Sequence, residues 1–285
     1  MTKQELLKTF GSPAPLLDHG FVRLVDVMGD DNAIVQMARV SYGDGTKKKS
    51  SDRGLIRYLM RHRHTSPFEG CEIKLHCKMP IFVARQWIRH RTASVNEVSA
   101  RYSTLPDEMY LPELDRIRTQ SSINKQGSGE ALDTQTADAM QMLMQEGMQY
   151  GRLAYDHTLN HNVARELARI TLPVSTYTEW YWKIDLHNLL HFIHLRVDSH
   201  AQYEIQVYAQ AIGEIVKSWV PITWEAYEDY RLNSLTFSGP EKEALISVLK
   251  SMGKEKFIED AAKSSHLKGR EIVEFKAKLD LLLPR

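Results

Sequence analysis

The chain has 285 residues, 42% hydrophobic and 26% charged, which supports a packed core and excludes general disorder. Its 37 Lys and Arg against 36 Asp and Glu leave a net charge of +1, excluding a surface built for long nucleic acid or an anionic membrane; any anion site is local. Two cysteines, Cys71 and Cys77, give neither a disulfide framework nor a Cys-rich metal cluster and suit a reducing compartment. The opening MTKQELLKTFGSPAPLL lacks the apolar core of a secretory signal, and no run approaches the ~18 apolar residues that span a bilayer. The chain is therefore expected in the cytoplasm, without a membrane or nucleic-acid partner.

In chain order, FVRLVDVM (21–28) follows a Gly and predicts a strand. Asp31 offers an N-cap to a helix with Ala33, Ile34, Met37 and Ala38 on one face. After the Lys-rich segment GDGTKKKSSD, Ser51 or Asp52 starts a helix striped by Leu55, Ile56, Leu59 and Met60, which ends in Arg61-His62-Arg63-His64 before Pro67. Residues 71–78 alternate, with Cys71, Ile73, Leu75 and Cys77 on one face of a half-buried strand. Pro80 fits the first turn of a helix IFVARQWIRHR, which breaks into a polar loop through Tyr102.

Residues 115–133 are polar with Gly and Ser, and predict a mobile surface loop. A long helix follows, on which Met140, Leu143, Met144, Gly147, Met148, Gly151, Ala154 and Tyr155 keep helical spacing, a stripe suited to core or subunit contact. Leu172-Pro173 closes another helix, and 174–182 reads as a strand. Asp185 can cap the helix LHNLLHFIHLRV, and 201–220 continues amphipathically to Pro221. Ser238-Gly239-Pro240 breaks the chain, so a catalytic domain over 1–232 and a helical appendage over 233–285 are expected.

The segment RHRTASVNEVSARY (89–102) gathers Arg89, Arg91 and Arg101 with Ser94, Asn96, Glu97 and Ser99 just past a helix end. Arginine forks bind phosphate, hydroxyls and backbone N–H groups complete such a site, and Asn and Glu can read a base or sugar edge. A solvated charged loop is the alternative from composition alone. His187, His191 and His194 share one helical face, a spacing known from zinc sites, but Asn188 stands where the metalloprotease general base would be and no third ligand is specified. The clusters at 61–64 and 89–92 also admit an RNA-binding module, which would purify colourless and lose affinity steeply with salt. Cys71 and Cys77 lie on the apolar strand face, so neither suits a thiolate nucleophile, and no base is assigned to Ser99.

Residues 89–102 resemble the R-H-R-x-x-S-x-N-E-x-S-x-R-Y signature of the flavin-dependent thymidylate synthases, with every fixed position filled. HTSPFE (64–69), PIFVARQW (80–87), Arg169–Pro173 and LRVDSHAQYEIQ (195–206) are similar to the family in the same order. The resemblance implies an α+β fold, a twisted, mainly antiparallel sheet packed with helices, assembled as a homotetramer with active sites at subunit interfaces. It implies reductive methylation of dUMP to dTMP, with FAD, NADPH as reductant and 5,10-methylenetetrahydrofolate as carbon donor.

Residue by residue, Gln86, Trp87, Ile88, Arg89, Glu97, Val98, Ser99, Ala100, Arg101, Arg169 and Arg196 match dUMP-binding positions. Ser66, Arg89, His90, Arg91, Glu97, Asp185, Leu186, His187 and His191 match FAD contacts. Arg196 matches the arginine that activates the uracil ring, His64 a histidine beside flavin and folate, and Ser99 a group that positions substrate. No metal is implied. Gly70 departs from the pattern, standing where the resemblance leads one to expect His.

Overall fold

The computed structural model describes residues 1–40, 51–122, 127–251 and 270–282. They form two compact units, Met1–Leu232 and Asn233–Arg285. The second contains helices Gly239–Ser251 and Arg270–Leu282; the Lys-rich segment before Ser51 lies largely outside the described residues.

The first unit is built on a five-stranded antiparallel sheet, β1 (Ala14–Leu16), β2 (Gly20–Met28), β3 (Glu72–Pro80), β4 (Ala93–Glu97) and β7 (Tyr177–Asp185), in the order β1-β2-β3-β7-β4. The predicted alternation of β3 is observed: Cys71, Ile73, Leu75, Cys77 and Met79 are buried, and Leu75 pairs with Leu24 on one side and Trp182 on the other. A register shift in β2 between Leu24 and Asp26 returns Val27 to the core face opposite Ile73. The other face is polar and internally paired. Arg23 Nε donates to His76 Nδ1 (2.9 Å), and Lys183 Nζ reaches Glu72 Oε1 (2.5 Å).

Helices cover the apolar face: α1 (Lys3–Phe10), α2 (Asp31–Val40), α3 (Asp52–Arg61), α4 (Ser66–Glu69), α5 (Ile81–Trp87), α8 (Leu186–Arg196), α9 (Tyr203–Trp219) and α10 (Pro221–Tyr227) belong to this unit. At the centre Trp87 meets Trp180 and Trp182 edge-on (centroids 5.5 and 5.2 Å) and stacks on Phe192 at 4.9 Å. This aromatic cluster ties α5 and α8 to the sheet.

Several elements differ from their sequence-based expectation. Asp30, not Asp31, starts α2, its Oδ1 accepting from Ala33 N (2.9 Å). Asp31 instead caps α10, accepting from Ile222 N (2.9 Å), Thr223 N (3.0 Å) and Thr223 Oγ1 (2.7 Å). Met37 lies 42% exposed rather than on the buried stripe. Pro80 is the N-cap of α5, and that helix ends at Trp87, short of Arg91.

The polar loop expected after α5 contains strand β4, paired with β7 from Ala93↔Ile184 to Glu97↔Trp180. The loop expected at 115–133 holds a 3-10 turn (Leu114–Arg116) and a hairpin, β5 (Arg118–Gln120) with β6 (Ser128–Ala131), anchored by buried Ile117. The long helix α6 (Thr134–Asn160) buries only Ala137 and Tyr155, leaving Leu143 at 61% and Met144 at 43% exposure. Its apolar stripe is therefore not core within one chain. A short helix α7 (Arg165–Ala168) and a 3-10 turn (Arg169–Thr171) lead on to β7.

Candidate active site

Because Trp87 is locked in the core, the residues after it emerge at a fixed place. His90 N donates to Trp87 O (3.0 Å) in the turn that ends α5, and Arg89 and Arg91 flank it in sequence. Both arginines are exposed and have no hydrogen-bond or ion-pair partner among the described residues. Two unpaired guanidinium forks flanking one turn are a donor set suited to phosphate oxygens. The Trp87 side chain is core and Ile88 is 38% exposed, so at position 87 only the backbone can face a ligand.

The last residue of α8 meets this turn. Arg196 Nε donates to His90 Nε2 (3.2 Å) and Arg196 Nη2 to the Gln86 carbonyl (3.4 Å), while the Gln86 side-chain amide donates to Gln202 Oε1. Burial depresses the His90 pKa to about 4, with smaller contributions from Arg196 and His191, so the ring is neutral near pH 7. Burial also lowers the Arg196 pKa, from a starting value that keeps it charged. The carboxylates near Arg196 in sequence are engaged elsewhere: Asp198 with His200 (2.7 Å) and Glu204 with the Tyr110 hydroxyl (3.0 Å).

At the far end of β4, Glu97 Oε1 accepts from Thr178 Oγ1 (2.5 Å) and Val98 N donates to Glu179 O (2.8 Å). Ser99 Oγ accepts from Arg101 N (3.3 Å) and has no basic side chain against it among the described residues. Ala100 is buried. Arg101 reaches Glu166 (3.4 Å), and Arg169 Nε donates to the Glu166 carbonyl (3.3 Å), which draws the second arginine segment to the signature. The expected substrate positions thus fall at the two ends of a strand whose length separates them by about 13 Å.

The expected flavin positions other than Glu97 lie on the His90 side, and Glu97 stands at the far end of β4. The His90 and His191 rings are 6.2 Å apart, and α4, which begins at Ser66, packs against α8. Asp185 caps α8 through Asn188 N (2.9 Å); Leu186 is buried, leaving only its backbone available, and His187 is half-buried. The His191 pKa is lowered, first by burial and then by His187 and His194. His64 is exposed and edge-on to Tyr58 at 5.7 Å, following Arg63 in a left-handed conformation (φ 59°) that re-aims the chain into α4.

Among the described residues no three His, Cys, Asp or Glu side chains are grouped to hold a metal ion. Cys71 and Cys77 are buried, and burial pushes the Cys71 thiol up to about 12 and raises Cys77 further, the opposite of a nucleophile's environment.

Two residues that touch the candidate set carried no role in the sequence reading. Gln202 lies within the family-like segment LRVDSHAQYEIQ, and Glu166 lies just before the matched Arg169 stretch. Their partners are 116 and 65 residues away in sequence, so only packing brings them together.

Comparison with known proteins identifies the family. A family model described as thymidylate synthase complementing protein matches residues 23–222. A flavin-dependent thymidylate synthase of Gluconobacter oxydans is 60% identical over 230 residues, covering 80% of this chain and 76% of its own. One from Rickettsia typhi is 50% identical over 271 residues, covering 90% and 91%. Among solved structures, the UMP/dUMP methylase PolB of Streptomyces cacaoi, bound with 5-Br dUMP, is 34% identical with a TM-score of 0.68, covering 78% of this chain and 100% of its own. These matches show that the chain is an enzyme belonging to the thymidylate synthase complementing protein family, the flavin-dependent thymidylate synthases.

Proposed function

We propose that the chain methylates C5 of dUMP to give dTMP, taking a one-carbon unit from 5,10-methylenetetrahydrofolate and reducing equivalents from NADPH through FAD, as a cytoplasmic homotetramer. The reading balances as dUMP, methylenetetrahydrofolate, NADPH and a proton giving dTMP, tetrahydrofolate and NADP. The observation that carries it is the juxtaposition of unpaired Arg89 and Arg91 with a charged Arg196 held by neutral acceptors. An anion site thereby stands beside a guanidinium able to stabilise negative charge on a pyrimidine ring.

The donor set fits a flavin nucleotide: Arg89 and Arg91 suit its phosphates, and Ser66, His90, His187 and His191 supply hydroxyl and imidazole groups on adjoining elements. When bound, the flavin supplies the reducing equivalents that a cysteine pathway would not. The protein's own part is to hold the nucleotide phosphate, orient the ring, and place Arg196 against its carbonyl edge. C5 attacks an electrophilic carbon only as electron density builds on the ring, and a fixed guanidinium lowers the cost of that build-up. Glu97, engaged by Thr178, and Ser99, held in its turn, orient substrate, with Arg101 and Arg169 supplying charge at the other end of β4.

That the candidate residues divide between two ends of one strand supports sites shared between subunits, and the exposed apolar stripe of α6 offers the contact surface. Among the described residues no helix is long and apolar enough to cross a membrane.

The visible spectrum of the purified protein, with and without dUMP and with UMP as a comparison, tests this reading. A flavin absorbance that shifts on adding dUMP is expected. Colourless protein that FAD cannot reconstitute, or nucleic-acid binding that falls steeply with salt, would replace it with the RNA-binding alternative.

A further inference from the structure

We infer that His90 is a positioning residue for Arg196: its imidazole, accepting at Nε2 together with the Gln86 carbonyl, fixes the guanidinium plane without neutralising its charge. The inference rests on the proposed dUMP methylation and adds to it how the guanidinium is held.

A guanidinium has five N–H donors and no acceptor, so its orientation is set by what accepts from it. Here Nε and Nη2, which lie on one edge of the fork, are both taken, by His90 (3.2 Å) and by Gln86 O (3.4 Å). Nη1 has no partner among the described residues, so the end of the fork stays available for a ligand. Accepting at Nε2 puts the ring proton on Nδ1. His90 is itself held by the edge-on ring of Phe192 (5.0 Å), and the Gln86 end by Gln202.

The acceptor types matter. A carboxylate would orient Arg196 equally well but would compensate the charge the pyrimidine needs. The acids that follow Arg196 closely in sequence, Asp198 and Glu204, are occupied by His200 and Tyr110. A neutral imidazole and a peptide carbonyl orient the cation and leave its charge uncompensated, and burial, which keeps His90 unprotonated, preserves the arrangement near pH 7.

The test is a double-mutant cycle on the FAD-loaded enzyme, with turnover counted per bound flavin and binding of dUMP and FAD measured separately. His90→Leu is expected to lower kcat about 10–100-fold with less than about threefold change in the dUMP dissociation constant, as misorientation without loss of charge requires. His90→Gln, whose amide oxygen reaches near the Nε2 position, should recover most of that loss. In an Arg196→Lys background, which has no Nε donor, His90→Leu should add less than about twofold, because both changes remove one interaction.

Multiplicative losses in the double mutant, or a His90→Leu enzyme that loses flavin affinity but turns over normally once loaded, would overturn the inference. Should His90→Leu not fold, His90→Asn, too short to reach Arg196, takes its place. Failure of the wild-type enzyme to make dTMP would instead count against the underlying function.

Discussion

The role proposed for Arg196 rests on its local electrostatics. A structural arginine would be paired with a carboxylate, and this one is oriented by an imidazole and a carbonyl. Arg196→Lys keeps the charge but loses the planar fork, so kcat is expected to fall about 10²–10³-fold, equivalent to ~3–4 kcal/mol, with dUMP binding weakened much less. A lower melting temperature with unchanged turnover in the folded fraction would make the residue structural.

Gly70 presents a separate case of compensation. A Cβ at position 70 would lie 1.7 Å from Met37 Sδ, so the Met37 side chain fills the space that a residue there would use. Because Met37 is 42% exposed and the clashing atoms are the flexible end of its side chain, Gly70→His is expected to cost about 1 kcal/mol or less in chemical denaturation, and adding Met37→Ala should restore most of it. Equal destabilisation in the single and double variants would show that Met37 is not the obstacle. The motif residues were legible because their types and spacing are local. The partners that hold them, His90 for Arg196 and Gln202 for Gln86, were not, since each pair is joined across more than 100 residues by packing.

At the scale of elements, β3, α3, α8 and the capping of α8 by Asp185 follow from periodicity and cap chemistry visible in the sequence. Strand β4 was hidden because an edge strand of ASVNE turns only Ala93 and Val95 toward the protein, too few residues for alternation to register. Asp31 was legible as a capping residue but not as the cap of a helix 191 residues away. Burial raises its pKa, partly offset by donation from Thr223 and Ile222, so its ionised form is held at a cost by those three donors. Asp31→Ala leaves them without their acceptor at the start of α10 and is expected to destabilise the fold by about 2–4 kcal/mol. Stability within ~0.5 kcal/mol of the parent would show that another group caps α10.

For the whole molecule, the periodicity of α6 predicted a helix and left open what its stripe would meet. Within one chain much of the stripe is uncovered, with Met140 at 38%, Leu143 at 61% and Met144 at 43% exposure, and the candidate site residues stand at opposite ends of β4. Both observations are accounted for if copies of the chain pack together and complete one another's sites. Sedimentation of the FAD-loaded enzyme is expected to give a tetramer; a fully active monomer would remove the shared-site arrangement. The most direct test of the central claim is product formation: FAD-loaded protein incubated with dUMP, 5,10-methylenetetrahydrofolate and NADPH, with nucleotides separated and quantified. The expected result is dTMP that accumulates over many turnovers and disappears when the folate, NADPH or flavin is omitted, whereas folded, flavin-loaded protein that leaves dUMP unchanged would refute dUMP methylation.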